Sequence, residues 1–298
     1  MSWFVCVHFA FLLLSCTIIQ TPADQRLTGY LQLLNQLPRD EVNSIGNARC
    51  ALLEWMPQAP IETRDGGFVA FRSFYYEVID RADERLLEEQ ERLYKGQEEQ
   101  GKKTGRYDEL RNCVEKSALQ NGLVVTEPEG YLIFEESDTY FLTEFGKYVS
   151  HPIKAFLEIR QRELAQVFQE DGALRVPFHE VTHRCVMWED YLSRYPQSPL
   201  RADAQRLYDA YVSTLFTGTV NTRVMESEAK YVDPSLTKDI EDGYRYAVEQ
   251  WPNSRVASLV KDYWPILKAK EFVDNPEAHD LLEKNGIAWM AASRWLLR

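Results

Sequence analysis

His179-Glu180-Val181-Thr182-His183 is the one segment of this sequence whose residue types and spacing amount to chemistry. Histidines four apart share a face of a helix, so both imidazoles can reach one ion. The carboxylate between them could polarise a water activated by zinc, and the outcome would be hydrolysis. On this reading His179 and His183 are metal ligands, zinc is the cofactor and Glu180 is the catalytic base.

The segment resembles the motif of zinc metallopeptidases, but the residues around it depart from that pattern. Pro177 puts the motif in the first turn of a helix, where such peptidases carry it mid-helix. Arg184 follows the second histidine directly, and a cation beside zinc is electrostatically costly. Val186 stands where the extended metzincin pattern needs glycine. A third ligand would have to be Glu226 or Glu228, and neither sits in a recognisable signature. A plainer account is at hand. Phe178, Val181, Cys185, Trp188, Leu192 and Tyr195 step by three and four along an apolar helix stripe, and both histidines lie on its flank. The expectation is therefore no catalytic residue, no cofactor and no metal, with the zinc peptidase as the alternative.

Other chemistries find less support. There is no GxSxG, GxxxxGK[ST] or strand-borne GxGxxG segment. Cys185 lies two residues from His183, and such positions do not face each other on a helix. Glu135-Glu136 and Glu98-Glu99 read as ordinary surface acids. Six acidic residues and no basic one fall between Glu127 and Glu144, but without the DxDxDG spacing of a calcium loop. Aromatic residues, 12% of the chain, read chiefly as helix-packing groups.

The elements that must position these residues are mostly helical. Asp24 to Leu37 carries apolar residues at helix spacing and stops at Pro38, and Asp40 can cap a second helix to about Met56. Pro57 to Gly67 reads as a loop, Phe68 to about Glu99 as a long helix, and Tyr107 to Gln120 as a shorter one. Leu123–Thr126 and Tyr131–Phe134 flank a turn with Pro128 and Gly130, which predicts a β-hairpin near 123–134. From Ser150 the pattern is helical again, with helices ending near Gln169 and Arg194. Further starts fall at Ser198-Pro199, Asp233-Pro234, Asn253 and Asn275-Pro276. The fold expected is all-α, a helical hairpin or repeat array with one small β-hairpin. Its regions are 24–120 (helical), 121–149 (hairpin and connection) and 150–298 (helical repeat).

Composition bounds the rest. The chain has 298 residues, with 34 Lys+Arg against 46 Asp+Glu and a net charge of −12. That field repels nucleic acids and anionic lipid headgroups. Met1 to Ala23 has no charged side chain, and Phe4 to Ile19 is nearly unbroken apolar sequence. This span is shorter than the roughly 20 residues a bilayer crossing needs, and it suits a secretory signal over 1–23. Leu13-Leu14-Ser15-Cys16 resembles a bacterial lipobox with Cys16 as the lipidated residue, and Thr21-Pro22-Ala23 offers an ordinary cleavage site instead. An uncleaved anchor is the third reading, and each of the three exports the domain. Membrane contact is expected only through this N-terminus. Cys50, Cys113 and Cys185 remain, too few for a disulfide framework. A Cys50–Cys113 bridge competes with the reading of all three as small buried residues.

The second half contains an echo. Trp188, Leu192 and Tyr195 are each followed 56 residues later by Tyr244, Val248 and Trp251, and Leu207-Tyr208 by Tyr263-Trp264. Each copy is a helix, an aromatic-Pro-Gln/Asn-Ser corner and a second helix. Ser198 and Asn253 are the expected starts of the second helices, and the corner aromatics are expected to be core. The corner is similar to those of tetratricopeptide-like proteins, although the period exceeds their usual value of about 34. With the Glu129-Gly130-Tyr131 turn and the Gly218–Thr222 loop, the chain also looks like exported bacterial helical proteins of unassigned activity. The resemblance implies an exported envelope protein, periplasmic or anchored at the outer membrane, that binds another protein or peptide without catalysis.

Overall fold

The computed structural model describes residues 22–100 and 105–289. These residues form eleven α-helices and three two-stranded antiparallel sheets, so the expected all-α architecture with a small hairpin holds. Residues 1–21 of the expected leader, Cys16 included, fall outside the described residues; its last two, Pro22 and Ala23, open the first helix, α1 (Pro22–Gln36). No helix among the described residues is long and apolar enough to cross a membrane.

α1 and α2 (Asn43–Trp55) pack on the first half of the long α3 (Ile61–Gln100). The apolar residues of α3 at three- and four-residue steps, Phe68, Phe71, Tyr75, Ile79, Ala82 and Leu86, are buried as their spacing requires. α3 starts earlier than the expected Phe68 and takes in Gly66-Gly67, which had read as loop. The reason is steric. A Cβ on Gly67 would lie 2.7 Å from Leu52 and 2.9 Å from Trp55, so glycine here lets α2 come close.

After α4 (Arg106–Gln120), β1 (Leu123–Thr126) and β2 (Ile133–Glu136) pair with Thr126 opposite Ile133. The second strand begins two residues later than expected, because a tight turn at Pro128–Gly130 holds Glu129 and Gly130 at positive φ (53° and 85°). Two buried polar side chains of α3 bond the hairpin. Asp83 accepts the Phe134 N–H at 2.7 Å, while Gln90 accepts the Leu132 N–H at 2.7 Å and donates to its carbonyl at 3.0 Å. A two-stranded sheet with a bare edge is thereby satisfied. α5 (Tyr140–Phe145) adds Tyr140, Phe141 and Phe145 to the aromatic core of α3.

The C-terminal half runs through α6 (His151–Leu164), a short hairpin β3 (Gln169–Glu170) and β4 (Ala173–Leu174), then α7 (Phe178–Arg194) and α8 (Arg201–Thr217). A second short hairpin, β5 (Gly218–Thr219) and β6 (Thr222–Arg223), precedes α9 (Pro234–Gln250), α10 (Arg255–Ala269) and α11 (Pro276–Lys284). Neither hairpin was expected, since strands of two residues carry no alternation to read. The β3–β4 turn leans on the β5–β6 turn: Asn221 N–H donates to the Gly172 carbonyl, and Leu174 N–H to Thr222 Oγ1.

The echo appears in the helices. α7 and α9 have the same length and bounds 56 residues apart, and their last turns end alike, at Tyr195 (φ −124°, ψ 59°) and Trp251 (φ −131°, ψ 58°). Trp188 and Tyr244 are wholly buried at equivalent positions, as are Leu207 and Tyr263. α9 crosses α7 at Gly243, where a Cβ would lie 2.7 Å from the Phe178 carbonyl carbon. Two expectations need correcting. The cap of α10 is Ser254, whose hydroxyl accepts the Ala257 N–H, so Asn253 is one residue too early; Ser198 does not start α8 either, which begins at Arg201 after Leu200, while the Ser198 hydroxyl bonds Tyr191 and accepts the Leu200 N–H. The corner aromatics are half-buried, not core: Trp251 sits against His183 and Tyr246, and Tyr195 against His151. Asp233 and Asn275 cap α9 and α11 as their prolines suggested. Of the three cysteines among the described residues, Cys50 and Cys113 are free and exposed and Cys185 is free and buried. Buried residues from Tyr30 to Leu282 form one hydrophobic cluster.

Candidate binding cleft

The HEVTH segment opens α7, one turn of helix in length. Phe178, Val181, Cys185 and Trp188 are wholly buried, while His179 is exposed and His183 half-buried. The His179 ring lies beside Tyr246 and the His183 ring beside Trp251. Glu180 accepts from Arg184 Nε at 2.9 Å, one helical turn on. Of the suggested third ligands, Glu226 joins the chain to Val273 through a backbone bridge and Glu228 pairs with Lys230. Among the described residues no three His, Cys, Asp or Glu side chains come together as a metal site. The Cys185 thiol is pushed well above its ordinary value by burial, which keeps it protonated and a poor nucleophile.

Arg184, noted in the sequence only as an awkward neighbour of His183, is 2% exposed and belongs to a different site. Its guanidinium donates to Glu180 and, more weakly, to the Glu163 carbonyl in the last turn of α6 and the Gln166 carbonyl just beyond it, with Phe168 and Tyr211 rings beneath it. Next to it lies a second buried group. Arg160 bonds Glu163 at 3.0 Å and pairs with Glu136 at 3.6 Å. Trp188 Nε1–H donates to Glu163 at 2.6 Å, and the Tyr76 hydroxyl donates to Glu136. Glu136, read from sequence as a surface acid, is 6% exposed at its side chain.

Burial decides the protonation of this network. It raises Glu163 above the usual carboxylate range even though Arg160, Arg184 and the Trp188 N–H favour the anion. Burial also opposes the charge on Arg160, but the Glu136 and Glu163 carboxylates more than offset it and raise its value.

The network forms the floor of a cavity of about 270 Å3 between β1–β2, the end of α6, α7 and α8, lined also by Val124, Glu135, Asp138 and Leu164. A second hollow of about 550 Å3 runs between the β1–β2 turn and the β3–β4 turn. Glu135, Val167 and Gln169 line both, so the two are joined. Four of the ten exposed large hydrophobic side chains among the described residues, Leu87, Val124, Tyr131 and Val167, stand in this cleft. The Gln169 side-chain oxygen, buried where the hollows meet, has no hydrogen-bond partner.

A third hollow, of about 660 Å3, lies at the second corner beside Met187 and Trp251. Both of its carboxylates are already engaged, Glu189 accepting the Arg255 and Val256 N–H groups at the start of α10 and Asp190 accepting from Arg194.

One signal for the cleft was present in the sequence. On α6, Ile153, Phe156, Leu157, Arg160 and Glu163 follow helical spacing, and the last two are charges on an apolar stripe. Charges on a buried stripe are rare unless paired. Glu136, Gln169 and Tyr211 carried no such mark, because two short hairpins and a separate helix bring them in.

No protein-family model, no curated protein and no solved structure matches this chain.

Proposed function

We propose that the protein is a non-enzymatic, exported envelope module that binds another protein or peptide in the cleft between the β1–β2 hairpin and α6–α8, with the helical repeat as its frame. The observation that carries this reading is the gathering of Leu87, Val124, Tyr131 and Val167, all exposed, around one concave site. Clustered exposed apolar side chains with a polar rim are characteristic of partner surfaces.

The chemistry of the floor supports binding over catalysis. Glu163, Glu136 and Glu180 each hold an arginine, and the Cys185 thiol is buried. A buried ion network contributes little net stability, so its presence beneath an open hollow suits a rigid, preorganised floor. Export rests on the uncharged apolar start, and fusing Met1 to Asp24 to a reporter active only outside the cytoplasm tests it.

A photo-reactive residue at Val167, in cells that produce the protein, tests the cleft. The expected result is a discrete cross-linked partner from position 167 and none from Lys261 on α10, which is also exposed. Equal labelling from both positions would contradict the reading.

A further inference from the structure

We propose that His183 and Met187 bind one soft monovalent cation, copper(I), in the crevice between α6 and α7. The site does not rest on the reading of the cleft as a partner surface.

Spacing is the first argument. His183 and Met187 stand four residues apart on α7, so their side chains share one face of the helix. Both are half-buried, and both line a crevice of about 30 Å3 against Ile159, Arg162 and Glu163 of α6. That volume admits one water-sized occupant, as a single ion is. The His183 ring also rests against Trp251, which restricts its rotamers.

Free electron pairs are the second argument and are independent of spacing. Four side chains in the lining can donate a pair to a metal: Glu163, Glu180, His183 and Met187. Glu163 is taken by Arg160 and Trp188, and Glu180 by Arg184. The His183 nitrogens and the Met187 sulfur have no hydrogen-bond partner among the described residues. Other histidines use theirs for the fold, His151 bonding the Tyr195 hydroxyl and His279 pairing with Asp274.

The two free donors select the ion. A thioether is a soft, neutral ligand that favours copper(I), while imidazole accepts copper or zinc. Copper(I), with its filled d shell, is satisfied by two near-linear donors, whereas structural zinc takes four. The absence of a third hard ligand, which sets the HEVTH segment apart from a zinc site, is no obstacle to copper(I). His183 thus pairs with Met187 and not with His179, which lies beside Tyr246 and outside the crevice lining. Charge does not expel the ion. Arg184 is paired with Glu180, and Arg162 is exposed, where solvent screens it.

Calorimetric titration of the whole protein with silver(I), the redox-stable analogue, tests this in chloride-free buffer. N-ethylmaleimide first caps the accessible thiols; Cys185, buried and held protonated, is a poor competitor. One equivalent should bind. Met187→Leu and His183→Gln should each weaken binding at least about ten-fold at unchanged melting temperature, and His179→Gln less than about two-fold. Zinc(II) should bind at least about ten-fold more weakly than silver. Copper(I) held by bicinchoninate should pass to the parent and not to Met187→Leu. In the parent itself, the Met187 methyl carbon resonance should shift on silver binding while that of buried Met56 stays. Silver binding that is indifferent to Met187→Leu, or that leaves the Met187 methyl unmoved, would overturn the site. Tighter zinc binding, lost in His179→Gln, would replace it with a histidine pair. A parent that binds neither silver nor copper(I) would overturn it outright.

Discussion

Glu163 is the residue on which the cleft floor turns, because it meets Arg160, Trp188 and the hollow at once. Its pKa is raised in the folded chain by burial, above an unfolded value of about 4.3. The folded state therefore keeps the proton to higher pH. The stability this group contributes is complete below the unfolded pKa and is lost as pH rises through the folded one. Glu163→Gln should accordingly gain stability relative to the parent as pH rises above the unfolded value, measured by urea unfolding. A gap that does not change with pH would mean that the carboxyl titrates normally. Tryptophans 188 and 251 offer a second comparison at this scale. Trp188 is wholly buried, so Trp188→Ala should cost about 3–5 kcal/mol through its cavity. Trp251 is half-buried, and Trp251→Ala should cost about 1–2 kcal/mol by the area it covers. Equal losses would restore Trp251 to the core. The sequence marked both residues equally, because periodicity locates a stripe but not how far along it the neighbouring helix reaches.

Among the elements, caps and close approaches explain where expectation and fold part. Helix starts at Asp233 and Asn275 were legible because a short polar side chain precedes a proline, and each accepts an N–H of the first turn. At the second corner two candidates stood side by side, Asn253 and Ser254, and only geometry separates them. Ser254→Ala should cost about 1 kcal/mol and Asn253→Ala less than about 0.5 kcal/mol in thermal unfolding. The reverse order would make Asn253 the cap. Gly66-Gly67 was misread for a different reason. Adjacent glycines signal a turn in sequence, yet here Gly66 faces Leu27 of α1 and Gly67 faces Leu52 and Trp55 of α2, and a tertiary contact overrides local propensity. The short hairpins β3–β4 and β5–β6 were illegible in principle. They exist because Asn221 and Thr222 on one bond Gly172 and Leu174 on the other, residues about fifty positions away in sequence.

For the whole molecule, the polar seam links the two halves of the chain. Tyr76 on α3 reaches Glu136, Glu136 reaches Arg160 on α6, and Glu163 reaches Trp188 on α7; nearby, Arg72 on α3 bonds Asp203 on α8 at 2.6 Å. The hydrophobic stripes were readable one helix at a time, and they predicted the helical architecture well. The cleft was not readable, since its wall comes from five separated segments that meet only in the fold. The −12 net charge was legible in the composition, but the placing of carboxylates beside the hairpin turns depends on tertiary structure. Amide hydrogen exchange of the whole protein, alone and in complex with the partner captured from position 167, tests the central claim that this cleft is the partner site most directly. The account predicts slowed exchange in residues 123–138 and 164–175, with the second corner at 186–194 and 250–254 unchanged. Slowing confined to that corner, or none in the cleft at saturating partner, would contradict it.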